Sequence, residues 1–211
     1  MKRISSKSQL AIILSKLEVF SDPKVKAEQY VTDSEAAASA LWNANLLGDI
    51  EGKVIADLGC GTGILGIGTM LLGARRILLI DSDEGALKIA KNNILKLESE
   101  DLVNKEGFEL VSQDINEVSV KTDIVVQNPP FGTKIKHQDA VFLEKAIETA
   151  PVVYSFHKSE SKGFLDRLSS KKNAKMTHEW HFKLPLKATF SFHRRQIHRI
   201  DVSCFRFEKS R

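Results

Sequence analysis

Apolar residues recur at helical spacing at Leu10, Ile13, Leu14 and Leu17, which predicts a helix over residues 6–19. Phe20-Ser21-Asp22-Pro23 ends it. An alanine-rich stretch with the same period predicts a second helix over 34–47, with Thr32, Asp33 or Ser34 available as its cap. The pattern then changes. Short, nearly continuous apolar runs at 53–58, 76–80, 108–112, 123–127 and 152–156 read as strands buried on both faces. Helical patterns separate them, most clearly over 83–97, where Leu87, Ile89, Ala90, Ile94 and Leu97 form one stripe, and again over about 140–149 and 158–173. Residues 176–184 and 197–207 alternate well enough to be two final strands.

Five strands alternating with helices, followed by an adjacent pair, predict an α/β fold built on a doubly wound, mostly parallel sheet. The link before the last strand carries no crossover helix, so that strand is expected to run antiparallel. No repeat, low-complexity tract or long linker divides the chain. The expectation is one domain over 1–211, with 1–48 as an N-terminal helical extension.

Composition narrows the class. A length of 211 residues, 42% hydrophobic and 27% charged, suits a globular domain with a full core. The net charge of +4 is compatible with nucleic acid without requiring it. The two cysteines, Cys60 and Cys204, are too few for a zinc cage or a disulfide framework. That points to a reducing compartment and to no metal site. The apolar run at 10–14 is too short for a signal peptide core, and no run is long enough to cross a bilayer. The expected location is cytoplasmic.

The first candidate chemistry lies at 53–66. A strand leads to Asp57-Leu58-Gly59-Cys60-Gly61-Thr62-Gly63 and then to a helix start. The glycines allow a tight turn and close backbone approach to a ligand. The second strand ends in Asp81, 24 positions after Asp57, where a carboxylate can accept both hydroxyls of a ribose. The spacing lacks the third glycine of a dinucleotide fingerprint. An acidic residue two positions before Gly59 would repel a pyrophosphate but pair with an amino group. S-adenosylmethionine is therefore favoured over a nicotinamide cofactor. At the end of the third strand, Asp114 is placed to accept an adenine amino group, with Ile115 against the ring; the plainer role for Asp114 is to start a turn.

The second candidate is Asn128-Pro129-Pro130-Phe131, directly after the fourth strand. Two prolines stop that strand, since neither has an N–H to give a ladder. Asn128 is thereby held at the carboxyl end of a strand, where open α/β sheets bind ligands. An amide oxygen and a backbone carbonyl beside a flat ring suit a planar group bearing an NH2.

Taken together, Asp57-Leu58-Gly59-Cys60-Gly61-Thr62-Gly63, Asp81, Asp114 and Asn128-Pro129-Pro130-Phe131 resemble a class I adenosylmethionine-dependent amino-methyltransferase. Glu28-Gln29-Tyr30-x-Thr32, the run 128–134, Val153-Tyr154-Ser155-Phe156-His157-Lys158 and Phe190-Ser191-Phe192-His193-Arg194-Arg195 narrow this. They resemble the methyltransferase-like protein 5 family, which methylates N6 of one adenosine in small-subunit ribosomal RNA. The resemblance covers nearly the whole chain. It implies a Rossmann-like seven-stranded sheet in the order 3-2-1-4-5-7-6. It places Gln29, Thr32, Asp57, Gly59, Gly61, Asp81, Ser82, Asp114, Ile115 and Asn128 around the cofactor. It also implies a small zinc-binding activator protein, for which the edge run 108–112 offers a seat, as exposed edges accept another strand.

The expected reaction is direct methyl transfer to a flipped adenine. Phe131 stacks on the base, Asn128 Oδ1 and the Pro129 carbonyl accept hydrogens from N6, and Pro130 stiffens the loop. Lys134, Lys136, His157, Lys158, Lys187, His193, Arg194 and Arg195 form an expected basic rim for RNA, with Phe190 and Phe192 as stacking or core residues. Two rival readings are a protein glutamine methyltransferase using the same loop and a non-catalytic S-adenosylmethionine-binding ribosome-assembly factor.

Overall fold

The computed structural model describes residues 4–20, 32–130, 138–185 and 199–210. Seven strands form one sheet in the order β3-β2-β1-β4-β5-β7-β6. In chain order they are β1 Val54–Leu58, β2 Arg76–Asp81, β3 Phe108–Ser112, β4 Ile124–Gln127, β5 Val152–Lys158, β6 Ala174–Pro185 and β7 Arg199–Lys209. The first five pair in parallel. β7 runs antiparallel to both β5 and β6, as the missing crossover helix predicted.

Among the described residues six α-helices cover the sheet: α1 Lys7–Leu14, α2 Ser34–Leu46, α3 Ile64–Leu71, α4 Glu84–Ser99, α5 Gln138–Thr149 and α6 Lys162–Lys171. Alternation along the strands sorts the core into two layers. Ile55, Ile77, Leu79 and Val126 face α1 to α4, where they join Leu10, Leu14, Leu41, Ile67 and Ile94. Ala56, Leu58, Ile80, Val125 and Val153 face α5 and α6, where they join Phe142, Leu143, Ala146 and Leu165. Both faces are buried, which is why these strands read as continuous apolar runs rather than alternating ones. Between β3 and β4 the crossover is reduced to a single turn, Ile115–Glu117.

Boundaries differ from the sequence pattern for identifiable reasons. The first helix ends at Leu14, because the Lys16 and Leu17 amides shift to carbonyls three residues back, on Ile13 and Leu14; Leu17 nevertheless stays buried. β5 runs two residues further than the apolar run, to Lys158, since it pairs with β7 as far as Lys158↔Val202. α6 consequently starts at Lys162 rather than 158.

The far end of the sheet is tied back to the segment after α2. Asp49 Oδ2 accepts from Tyr154 Oη at 2.6 Å and from Arg206 Nε at 2.8 Å. Arg206 also donates to Thr177 Oγ1 and Glu208 Oε2. A buried arginine is tolerable here because most of its guanidinium donors are engaged.

Candidate active site at the carboxyl ends of β1, β2 and β4

Strand register brings the ends of β1, β2 and β4 level: Leu58 pairs with Ile80 on one side and Gln127 on the other. The loops that follow these ends form the site. After β1, Gly59 and Gly61 adopt left-handed backbone, at φ 66° and 53°, which only glycine takes up without strain. The loop is hung from β2: the Gly59 and Cys60 amides both donate to the Ile80 carbonyl, at 2.8 and 3.1 Å. A Cβ on Gly59 would meet Phe142 Cε1 at 2.9 Å. This loop therefore allows no side chain at that position.

Asp57 is 1% exposed and points toward α3. Its Oδ2 accepts from the Gly66 amide at 2.8 Å, satisfying an N–H of the first helical turn that Gly63, lacking a side chain, leaves open. Burial, with the nearby Asp81 charge as a smaller contributor, pushes its carboxyl up to about 7 despite the Gly66 amide. Asp81 carries one oxygen on the Gly61 amide (2.8 Å) and the other on the Asp83 amide (2.9 Å). Its carboxyl is also raised by burial, which those amides partly offset. Burial and the two carboxylates hold the Cys60 thiol well above its usual range, so it remains protonated.

After β4 the ladder stops at Gln127. Asn128 Nδ2 donates to Thr32 Oγ1 at 2.9 Å. Its Oδ1 is fully enclosed and has no hydrogen-bond partner among the described residues. Pro129 is buried and Pro130 half-buried. Asn128, Thr32, Asp57, Gly59, Gly61 and the ring of Phe20 line one cleft that is partly open to solvent.

The expected site residues separate into three groups. Thr32, Asp57, Gly59, Gly61 and Asn128 share the cleft, and Asp81 supports its floor through Gly61. Ser82, Asp114 and Ile115 lie beyond it: Ser82 and Asp114 are exposed and Ile115 packs on the α5 layer. Asp114 Oδ1 accepts from the Asn116 amide and side chain, so the turn-starting role is realised. Gln29, Phe131, Lys134, Lys136, Lys187, Phe190, Phe192, His193, Arg194 and Arg195 lie outside the described residues. Lys158 stands at the end of β5, its side chain 33% exposed and 3.7 Å from Glu160.

One expectation is overturned. His157 does not belong to a basic rim; it is 1% exposed, and burial lowers it to about 3, so it is neutral. The sequence conceals this because β5 extends past its apolar run. Two contributors were missed. Phe20 read as a helix terminator yet lines the cleft. Asn93, on α4, binds the Glu18 amide (2.7 Å) and the carbonyls of Glu18 (3.0 Å) and Thr62 (3.1 Å). It clips the segment carrying Phe20 to the glycine loop. A lone Asn inside an amphipathic helix gave no signal for that role. Thr32 was expected as a possible cap, but Asp33 caps α2 through the Glu35 and Ala36 amides, which leaves the Thr32 hydroxyl for Asn128.

Comparison with known proteins fits this geometry. Residues 15–154 match the methyltransferase small domain family. The rRNA N(6)-adenosine-methyltransferase METTL5 of Danio rerio is 34% identical, over 94% of this chain and 97% of its own. The chain belongs to the METTL5 family. Its Drosophila melanogaster member is 32% identical over 92% of both chains. Among solved structures, PH1948 from Pyrococcus horikoshii, a protein proposed to be an RNA methyltransferase, superposes with a TM-score of 0.87, at 42% identity and 98% coverage of each chain.

Proposed function

We propose that this chain is an S-adenosylmethionine-dependent RNA methyltransferase acting on N6 of an adenosine in small-subunit ribosomal RNA. The observation that carries the reading is the Asn128 amide. Thr32 engages its Nδ2, and its enclosed Oδ1 is left without a partner. A buried acceptor left unpaired is costly, and the residue that carries it lines the cleft beside the glycine loop. An arriving NH2 satisfies it.

The residues present suit the cofactor. A Cβ on Gly61 would stand 3.7 Å from the Phe20 ring, inside the cleft, so glycine keeps that space for a ligand. Asp57 and Asp81 supply negative potential suited to a cation, and a bound cation draws Asp57 back toward its ionised form. When bound, S-adenosylmethionine supplies a methyl group on a cationic sulfur. Thr32 holds the Asn128 amide in plane. Asn128 Oδ1 and the Pro129 carbonyl accept the two N6 hydrogens, which orients the nitrogen lone pair. The prolines fix that carbonyl. Orientation and fixed dipoles supply the rate; no general base is assigned. Gln29, Ser82, Asp114 and Ile115 complete the cofactor set in this reading, and Phe131 stacks on the flipped base.

Lys158, with Lys134, Lys136, His193, Arg194 and Arg195, contacts RNA phosphates. The outer edge of β3 seats a small zinc-binding activator protein. β3 is the last strand on its side of the sheet, and its one charged residue, Glu109, is paired inward with Arg76 at 2.6 Å. Residues 1–48 act as an extension of one domain spanning 1–211. Among the described residues no helix is long and apolar enough to cross a membrane, and a cytoplasmic location fits a ribosomal substrate.

The test is transfer of labelled methyl to purified small-subunit rRNA and, in parallel, to a translation release factor, with nuclease digestion of the RNA product. Labelled N6-methyladenosine is expected. Label on a glutamine with RNA untouched would sink the proposal. An inactive chain that becomes active when the zinc protein is added would establish the edge partner.

A further inference from the structure

Among the described residues three buried side-chain atoms lack a hydrogen-bond partner: Gln127 Oε1, Asn128 Oδ1 and His157 Nδ1. The methyl-transfer reading accounts for the second. The other two belong to a hydrogen-bonded chain on the opposite face of the sheet. Gln127 Nε2 donates to Ser155 Oγ at 2.9 Å, and Ser155 Oγ lies 2.6 Å from His157 Nε2. None of the three residues is more than 1% exposed. Gln127 and Ser155 are direct register partners across β4 and β5, and His157 follows two positions on, on the same face. Leu58, Val125, Val153 and Phe205 line the apolar part of that face, while Ser203, the register partner of His157 on β7, is itself engaged by Ser159 and Glu179. A hydrophobic trio would fill the same place without leaving polar atoms unpaired.

The location gives the chain a use. The β4 ladder ends at Gln127 on both sides. The two residues after Asn128 are prolines, which have no N–H to extend it. The peptide that carries Asn128 is therefore held by no strand bond beyond residue 127. We infer that Gln127, Ser155 and His157 form a positioning relay: they clamp the last residue of β4 and so hold the Asn128 amide aimed at the amine acceptor. Gln127 donates to Ser155, and in this relay the Ser155 hydrogen is assigned to His157 Nε2, which puts the imidazole proton on Nδ1. The inference rests on the proposed amine-acceptor role of Asn128.

Three measurements test it. In the wild-type protein, nitrogen NMR of His157 is expected to show a neutral ring protonated on Nδ1; a proton on Nε2 overturns the relay. Ser155→Ala is expected to lower kcat roughly ten- to hundredfold through misorientation, with KM for rRNA and cofactor Kd unchanged. Ser155→Thr, which keeps the hydroxyl, is expected to restore kcat. An unchanged kcat in Ser155→Ala, or an equal loss in Ser155→Thr, means that the site is only packing and refutes the inference. The Asn128 side-chain amide signal separates the two levels of argument. If it shifts in Ser155→Ala and not in Ser155→Thr while the wild type labels no adenosine, the relay stands and the substrate reading fails. If the wild type labels adenosine and the signal is the same in all three proteins, the substrate reading stands and the relay fails.

Discussion

The two halves of the site are finished to different degrees. On the cofactor side, β1, β2 and α4 leave no buried side-chain acceptor unpaired among the described residues. Asp57 is met by Gly66, Asp81 by Gly61 and Asp83, and Asn93 by Glu18 and Thr62. On the acceptor side, β4 and β5 hold all three unpaired atoms. A fully satisfied network is rigid, and a partly satisfied one waits for a partner. The cofactor half is thus preformed by the fold, whereas the acceptor half keeps the Asn128 Oδ1 for a donor yet to arrive.

Asn128→Ala attacks the contrast most strongly. It should reduce methyl transfer about a thousandfold, at the upper end for loss of one preorganised polar group. Cofactor affinity, measured by calorimetry, should stay within about twofold. A matching loss of cofactor affinity would show that the halves are not separable.

Asn93→Ala should act the other way round. It strands the Glu18 amide and frees the Phe20 segment, which should cost about 2–3 kcal/mol in denaturant unfolding. Cofactor affinity should fall with it, while kcat at saturating cofactor is kept.

Asp57 sharpens the comparison through pH. Its carboxyl rises from an ordinary 3.8 to about 7 because burial disfavours the charge. The native state therefore keeps a proton that the unfolded chain has lost. This contribution to stability is full below pH 3.8 and disappears as pH climbs to about 7. In the ligand-free protein, the melting temperature of the wild type relative to Asp57→Asn should fall steadily across that window. A flat difference would place the carboxylate in a better solvated setting than the fold indicates.

The smallest effect is expected at Lys158. Lys158→Ala should weaken rRNA binding only modestly and reduce the salt slope by about one phosphate contact. A slope unchanged in a filter-binding titration would remove Lys158 from the RNA surface.

Legibility from sequence follows the same divide. The strands, the glycine loop and the Asn128 loop were readable because each depends on local chemistry: continuous apolar runs, glycines where φ is positive, prolines that end a ladder; the strand order came only from the family resemblance. Phe20, Asn93 and the bond from Asn128 to Thr32 were not readable. Their roles depend on contacts spanning 96 positions for Thr32 to Asn128 and 75 for Glu18 to Asn93, which no local pattern encodes. His157 was misread because a histidine beside a lysine resembles a surface pair, and only the pairing of β5 with β7 shows that it is enclosed.

The placement of β7 has a consequence for how the molecule comes into being. This strand is made after the other six yet sits inside the sheet, between β5 and β6, and its Arg206 reaches back to Asp49. The parallel strands β1 to β5 can dock as they emerge. β6 has no neighbour to pair with until residues 199–209 have been synthesised. Assembly of this side is therefore governed by late, non-local contacts, the slow kind in folding. Until then, the rim of β5 and the whole of β6 are exposed to other nascent chains.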